Sequence, residues 1–536
     1  MSLQRFGVSH CAVEWGYTAA KPDADPFNDI ELDVIFSASG ADEWRVPAFW
    51  SGGNEWRVRF APPQPGVYQF RSVCSDVTDA GLHDRQGTLE VRPYEGDNLL
   101  LKHGPLRVST NQHYLEHQDG TPFFWLADTW WMGLCQRLSW PDDFQRLTAD
   151  RVAKGFSVIQ IVAGLYPDMP PLDPRGANEA GFPWTPGWGT LNPAYFDMAD
   201  LRIRWLVRAG LLPCIVAGWG YYLPVLGVDR MKKHWRNLIA RYSAYPVTWC
   251  LAGEGSMPYY LSSNREGDVA IQQHGWTDVA RYVRSIDPSH HPITIHPTDA
   301  GRNQVDDPAV IDYDMLQTGH SGYQSLPNTV RSIRQAVARM PQMPALVGEV
   351  NYEGILEGSR EEIQRMCFWM CLLSGAAGHT YGANGIWQVN TRAQAYGPSP
   401  HGASWGDTPW EDAYRLPGSG QLGIAKRLLE RFPWWRFESH QDWVEPCADE
   451  RNILGPYCAG VPGEVRVYYF PTPIAPWTQI QLASKLEQRV TYMASFVDPK
   501  TGKEYPVGRV NTLGDGTWRI PAPPVIQDWV LVIVKA

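Results

Sequence analysis

Hydrophobic and polar positions alternate over short runs at the start of the chain. Ile30-Glu31-Leu32-Asp33-Val34-Ile35-Phe36 and Trp56-Arg57-Val58-Arg59-Phe60 carry apolar residues at close to every second position, the period of a half-buried strand. Pro62-Pro63 and Pro65-Gly66 mark a turn, and Val67-Tyr68-Gln69-Phe70-Arg71-Ser72-Val73 resumes the alternation. Short strands with turn residues between them predict an immunoglobulin-like β-sandwich over residues 1–97. Pro93-Tyr94-Glu95-Gly96-Asp97-Asn98 reads as a linker.

From 98 to 435 the pattern changes. Continuous apolar runs stand at 123–127, 157–162, 211–217, 247–252, 292–296, 315–318, 344–348 and 376–381, with amphipathic stretches between them. Seven gaps carry a helix candidate, weakest near 300–312, and a further helix is predicted at about 420–432. Ser359-Arg360-Glu361-Glu362 has the form of a capping box, and Asn192-Pro193 sets a cap before a first-turn proline. Strands that are apolar throughout belong to a parallel sheet covered on both faces. Eight such units predict a (β/α)8 barrel. An open dinucleotide-binding sheet is disfavoured, because no glycine-rich fingerprint follows the first strand. Residues 436–536 return to short strands, 465–470, 489–493 and 529–534, and predict a second, smaller β-sandwich. The expected organisation is multidomain, a barrel flanked by two all-β units.

Composition narrows the partners. The net charge is −10 and no basic run of five residues occurs, so nucleic acid is excluded as the main partner. No stretch of 18 apolar residues occurs, so no membrane span is expected. The N-terminal residues contain no long apolar segment of the signal-peptide kind, and the expected location is cytoplasmic. Nine scattered cysteines without a CxxC pair read as buried free thiols. Twenty-five tryptophans among 536 residues, with 24 tyrosines and 17 phenylalanines, exceed what packing alone asks for and suit surfaces that stack on sugar rings.

In such a barrel, catalytic groups lie just beyond the C-terminal ends of the strands. Glu254 follows strand 4 and Glu349 follows strand 7, which stand across the barrel from each other. Each alone would be read as a strand-end acid paired to an arginine. Together they make the pair that glycoside cleavage requires, one carboxyl to protonate the leaving oxygen and one to attack or activate water. Asp128, Trp130, Trp131, Trp219, His296, His320, Tyr323, Tyr352, Glu353 and Trp387 occupy other strand ends and are the expected sugar-binding residues. Two further readings stay open, a sugar-binding protein on an inactive barrel and a metal-dependent barrel hydrolase. No HExxH or HxH spacing supports a metal, and neither metal nor cofactor is expected. Oligomeric state, a homo-oligomer included, is left open.

Phe124-Trp125-Leu126-Ala127-Asp128-Thr129-Trp130-Trp131 resembles the opening motif of the apiosidase-like glycoside hydrolases, family 140 and its relatives. Phe49-Trp50-Ser51-Gly52-Gly53 resembles the β-sandwich that often precedes that barrel. Phe496-Val497-Asp498-Pro499 with Asp528-Trp529-Val530-Leu531 resembles the β domain that often follows it. The resemblance implies a clan A barrel and a retaining mechanism, with Glu254 as acid/base and Glu349 as nucleophile. It implies an exo-acting enzyme on a terminal sugar: apiose or another pentose or hexose, furanosides included. Two departures are visible: the characterised apiosidase has Asp in the acid/base role, whereas Glu254 stands here, and the other lies just before that residue. Many clan members carry Asn before the strand 4 glutamate, whereas Gly253 stands here.

Overall fold

The structure is a computed structural model that describes residues 3–38, 42–472 and 480–536. Among these, eight parallel strands form the central sheet: β1 Trp125–Trp130, β2 Val158–Val162, β3 Leu212–Val216, β4 Thr248–Cys250, β5 Ile293–Thr294, β6 Asp314–Gln317, β7 Ala345–Glu349 and β8 Gly378–Tyr381. They neighbour one another in the order β5-β4-β3-β2-β1-β8-β7-β6. The ladder is interrupted between β5 and β6. There, Asp312 N donates to Ile293 O at 2.7 Å and Thr294 Oγ1 donates to Tyr313 O at 2.8 Å, which nearly closes the barrel.

Every residue of β1, β2, β3 and β7 is buried. This is why these strands read as unbroken apolar runs: one face fills the barrel and the other meets the helices. Side chains alternate between the faces. Along β1, Trp125 packs inward on Tyr313 with ring centroids 5.8 Å apart, and Thr129 Oγ1 reaches Tyr381 O across the sheet. Leu126, Asp128 and Trp130 point outward.

The covering helices are α1 Asp142–Lys154, α2 Pro193–Arg208, α3 Val228–Tyr242, α4 Arg265–Ile286, α5 Leu326–Ala338, α6 Glu361–Leu372 and α7 Pro417–Leu429. The gap expected to carry the weakest helix has, among the described residues, only the 3-10 turns Gly301–Asn303 and Pro308–Val310. Asp306-Asp307-Pro308 breaks any longer helix there. The predicted capping box does not form. Ser359 has φ +49°, and Arg360 takes the cap position without a side-chain bond. Glu361 and Glu362 still place acidic charge in the first turn, where the helix dipole favours it. Pro193 does open α2, but the Asn192 amide turns back to Ala180 O and Phe182 O.

Before the barrel, five strands run in the order Leu3–Val8, Gln86–Arg92, Gly66–Cys74, Leu32–Ala38, Glu43–Pro47. The first pair is parallel and the others antiparallel. They face a three-stranded sheet of Val13–Thr18, Glu55–Phe60 and Phe49–Gly52 across an aromatic core, in which Phe36 stacks on Phe60 at 4.1 Å and Trp15 meets Phe70 at 4.9 Å. Arg59, 2% exposed, leaves this unit to bond Asp200 on α2 and the Arg241 carbonyl on α3. After the barrel, a six-stranded antiparallel sheet is centred on Val465–Phe470 and Trp529–Lys535. It docks on α6, where Trp369 stacks on Tyr469 and Arg365 holds Asp528 in a two-point pair of 2.7 and 2.9 Å. Among the described residues no helix is long and apolar enough to cross a membrane.

Both members of the Arg365–Asp528 pair are buried. Removing one leaves an uncompensated charge, at a cost of roughly 3–5 kcal/mol. Asp528→Ala is therefore expected to lower the urea-unfolding free energy by that amount. A loss below about 1 kcal/mol would show that the pair does not hold the C-terminal sheet to the barrel.

Candidate active site

The polypeptide leaves β4 through Leu251-Ala252-Gly253 and reaches Glu254, whose φ of +43° lies in the left-handed region. Gly253 is required sterically, because a Cβ there would stand 2.2 Å from the Trp219 ring. Gly220 is likewise pressed on this turn, its Cβ position 2.3 Å from Glu254 O. The strained turn aims the Glu254 carboxyl into the barrel mouth. Oε2 accepts from Trp219 Nε1 at 3.0 Å and Oε1 from Gln317 Nε2 at 3.1 Å. Burial, and then the neighbouring Glu349 charge, push the carboxyl up to about 7. His296 and the two donors oppose that rise without cancelling it.

Glu349 is the last residue of β7 and is 6% exposed. His320, which follows β6, places Nε2 2.8 Å from Oε1. His296, which follows β5, places Nε2 3.1 Å from Oε2, in an ionic contact not aligned as a hydrogen bond. Gln317 Nε2 lies 3.5 Å from Oε1. Burial alone would raise this carboxyl, but the two histidines outweigh it and hold Glu349 well below the usual carboxylate range. One acid is thus set to carry a proton and the other a charge. Burial and the Glu349 charge push the Tyr352 phenol well up, so it remains a donor.

Aromatic rings wall this site. Trp131, the next inward position after Thr129, meets the Trp219 ring at 5.4 Å and the His296 ring at 5.2 Å, and its Nε1 donates to Tyr352 OH at 3.1 Å. Trp387, from the loop after β8, stacks on Tyr352 at 6.1 Å. Its buried Nε1 has no partner among the described residues. On the β2 side, Asp168 ties three loops together. Its carboxylate accepts from Ser399 Oγ at 2.8 Å and Trp405 Nε1 at 3.1 Å, and its backbone N–H donates to Tyr260 OH at 3.2 Å. Burial, then the charges of Asp168 and Glu254, raise the Tyr260 phenol, and its ring packs at 5.7 Å on Tyr221, two residues beyond Trp219.

The structure therefore brings together Glu254, Glu349, Trp131, Trp219, His296, His320, Tyr352 and Trp387. It corrects four expected positions. Asp128 is fully buried on the outward face of β1, where Oδ2 accepts from Arg151 Nε at 2.6 Å and Trp130 Nε1 at 2.7 Å. Trp130 packs edge-on against Phe144 of α1. Strand alternation turns both away from the pocket. Glu353 accepts from Tyr381 OH at 2.5 Å and from Gly418 N at 3.1 Å, so it caps the start of α7. Tyr323 is 52% exposed in the 3-10 turn Gly322–Ser325, and no hydrogen bond or ring contact joins it to the acid pair among the described residues. Gln317 was missed. It closes the apolar run of β6, where a polar residue at the end of a buried strand was the available signal. Among the described residues no group of three or more His, Cys, Asp or Glu side chains is arranged to hold a metal ion.

A (β/α)8 barrel with two opposed carboxylates in an aromatic box at its C-terminal mouth defines the class: a glycoside hydrolase. The chain belongs to the family described as "Apiosidase-like, catalytic domain", whose sequence model matches residues 109–436. Residues 6–75 match a domain of unknown function, DUF5060. A solved structure described as "Glycoside hydrolase" is 24% identical with a TM-score of 0.66, the match covering 81% of this chain and 97% of that one. A glycoside hydrolase family 5 protein from Bacteroides vulgatus ATCC 8482 is 22% identical with a TM-score of 0.65, covering 81% and 94%. A second protein from that organism, solved as a candidate glycoside hydrolase, is 18% identical with a TM-score of 0.70, covering 99% and 100%. At these identities the likeness is one of fold. No curated protein matches the chain.

Asp128→Ala distinguishes a supporting role from a sugar-binding one. It removes the buried acceptor of Arg151 Nε and Trp130 Nε1, while Asp150 still pairs with Arg151, and is expected to cost roughly 1–3 kcal/mol of stability, with KM unchanged in the folded fraction. Normal stability with a raised KM would return Asp128 to the substrate pocket.

Proposed function

We propose that this enzyme is a retaining, exo-acting glycoside hydrolase working by double displacement. The observation that carries the reading is the contrast between two carboxyls within reach of one amide nitrogen: Glu254 raised to about 7 and Glu349 depressed. Oxygens of both carboxylates lie within 3.5 Å of Gln317 Nε2, which supports a short separation between the two groups. Retaining pairs are separated by about 5–5.5 Å and inverting pairs by about 6.5–9.5 Å.

In the first step a carboxylate oxygen of Glu349 attacks the anomeric carbon. The glycosidic C–O bond breaks, and Glu254 gives its proton to the departing oxygen. In the second step Glu254 takes a proton from water. The hydroxide so generated displaces Glu349 from the glycosyl ester and restores both side chains. Tyr352, held protonated, and His320 stabilise the nucleophile between turnovers. Exo-action is supported by the Asp168 staple, which joins the loops after β2, β4 and β8 and walls one side of the site. The substrate would be a terminal pentose or hexose, apiose and other furanosides included, with Trp131, Trp219 and Trp387 as its apolar walls.

A panel of aryl glycosides of apiose, arabinofuranose, xylose, galactose and glucose identifies the sugar. On the sugar accepted, Glu254→Gln is expected to reduce turnover by roughly 10²–10⁴-fold, the usual worth of a general acid/base, and Glu349→Gln to abolish it. Near-normal turnover in both variants would refute the mechanism. Because Glu254 must hold a proton, kcat/KM should fall as pH rises through about 7. Glu349 must be ionised, so its acidic limb should lie below the ordinary glutamate range. A profile flat from pH 6 to 9 would contradict the assignment of Glu254.

A further inference from the structure

We infer that Gln317 recognises the sugar's 2-hydroxyl, the group next to the anomeric carbon, and holds it through the transition state. The inference rests on the double-displacement reading above. As positive charge develops on the sugar ring, hydrogen bonds to the 2-hydroxyl strengthen and supply part of the rate acceleration. A residue doing this must lie beside the nucleophile and offer a hydrogen-bonding group not already engaged by the protein.

The residue before Glu254 cannot. Gly253 has no side chain, and the Trp219 ring, itself bonded to Glu254, fills the space in which one would begin. His296 and His320 are directed at Glu349. Gln317 remains. Its Nε2 lies between the two carboxylates, at 3.1 and 3.5 Å, while its Oε1 is buried and without a partner among the described residues. An amide oxygen left unpaired in a protein interior is costly, so the site carries an unmet demand for a donor. A sugar hydroxyl is such a donor.

The backbone independently indicates a placed side chain. The β6–β7 register shifts between Leu316 and Gln317, so that Gln317 pairs with Glu349. An irregularity of this kind re-aims a side chain and is common beside active sites. Gln317 N is also fixed by Asp299 O at 3.0 Å. The amide is thus locked to the strand that carries the nucleophile. Sugars with a free 2-hydroxyl would be accepted, and 2-deoxy sugars refused.

The test compares two substrates in one protein, so a general loss of folding cancels. The kcat/KM of wild type and Gln317→Met is measured on the accepted 4-nitrophenyl glycoside and on its 2-deoxy analogue. Gln317→Met is expected to lose about 10–100-fold on the parent glycoside, and its preference for parent over 2-deoxy substrate should shrink at least tenfold. Gln317→Asn, which keeps the amide but withdraws it, should change the ratio in the same direction. The basic limb of Gln317→Met should also move to higher pH, because Glu254 loses a donor to its charged form. An unchanged parent-to-2-deoxy ratio in both variants overturns the inference. If Glu349→Gln is dead while that ratio is unchanged, only Gln317 falls. If Glu349→Gln keeps full turnover, the two-carboxylate mechanism falls with it.

Discussion

Two carboxylates sharing one buried site cannot both be ionised cheaply, and the mouth of this barrel is built around that constraint. Like charges in a medium of low dielectric repel strongly, so the protein makes the two environments unequal. Glu349 receives two histidines from neighbouring strands and a protonated tyrosine. Glu254 receives an indole N–H and an amide N–H, neither of which carries a formal charge. The result is a neutral acid facing an anion. The same repulsion that would destabilise a doubly charged pair favours a proton on Glu254, the state the proposed mechanism uses.

That asymmetry depends on positions the barrel fixes at a distance. Alternation along β1 carries the inward series Trp125, Ala127, Thr129 on to Trp131, which closes the aromatic wall. The outward series ends in Asp128 and Trp130, which bind β1 to α1 through Arg151 and Phe144. Glu353 performs a comparable service at the start of α7. These groups are chemically eligible for catalysis and are used for construction. The flanking sheets are held to the outside of the barrel by buried charge pairs, Arg59–Asp200 and Arg365–Asp528, rather than by apolar surface alone.

The barrel was legible because its strands are buried on both faces, so all eight stand out as apolar runs bounded by polar segments. The acid pair was legible because Glu349 directly follows such a run and Glu254 stands one glycine beyond another. What failed was reading strand ends as a roll of chemically interesting residues. Asp128 and Trp130 are separable from Trp131 by period-two counting from Trp125, a signal already present in the sequence. Glu353 and Tyr323 are not separable that way. The partners of Glu353 include Gly418, 65 residues away, and Tyr323 lies on an exposed turn. Gln317 was passed over because a neutral amide was not sought among acids, histidines and rings. Among the tryptophans, Trp131, Trp219 and Trp387 surround the acid pair, while Trp125, Trp130 and Trp249 fill the body of the fold.

Covalent trapping tests the central claim most directly. The enzyme would be inactivated with an activated 2-deoxy-2-fluoro glycoside of the sugar it hydrolyses, then digested and mapped by mass spectrometry. The account predicts one glycosyl ester, on Glu349, formed with loss of activity that returns as the ester turns over. An adduct on another residue would contradict it, as would hydrolysis of the parent substrate with inversion at the anomeric carbon.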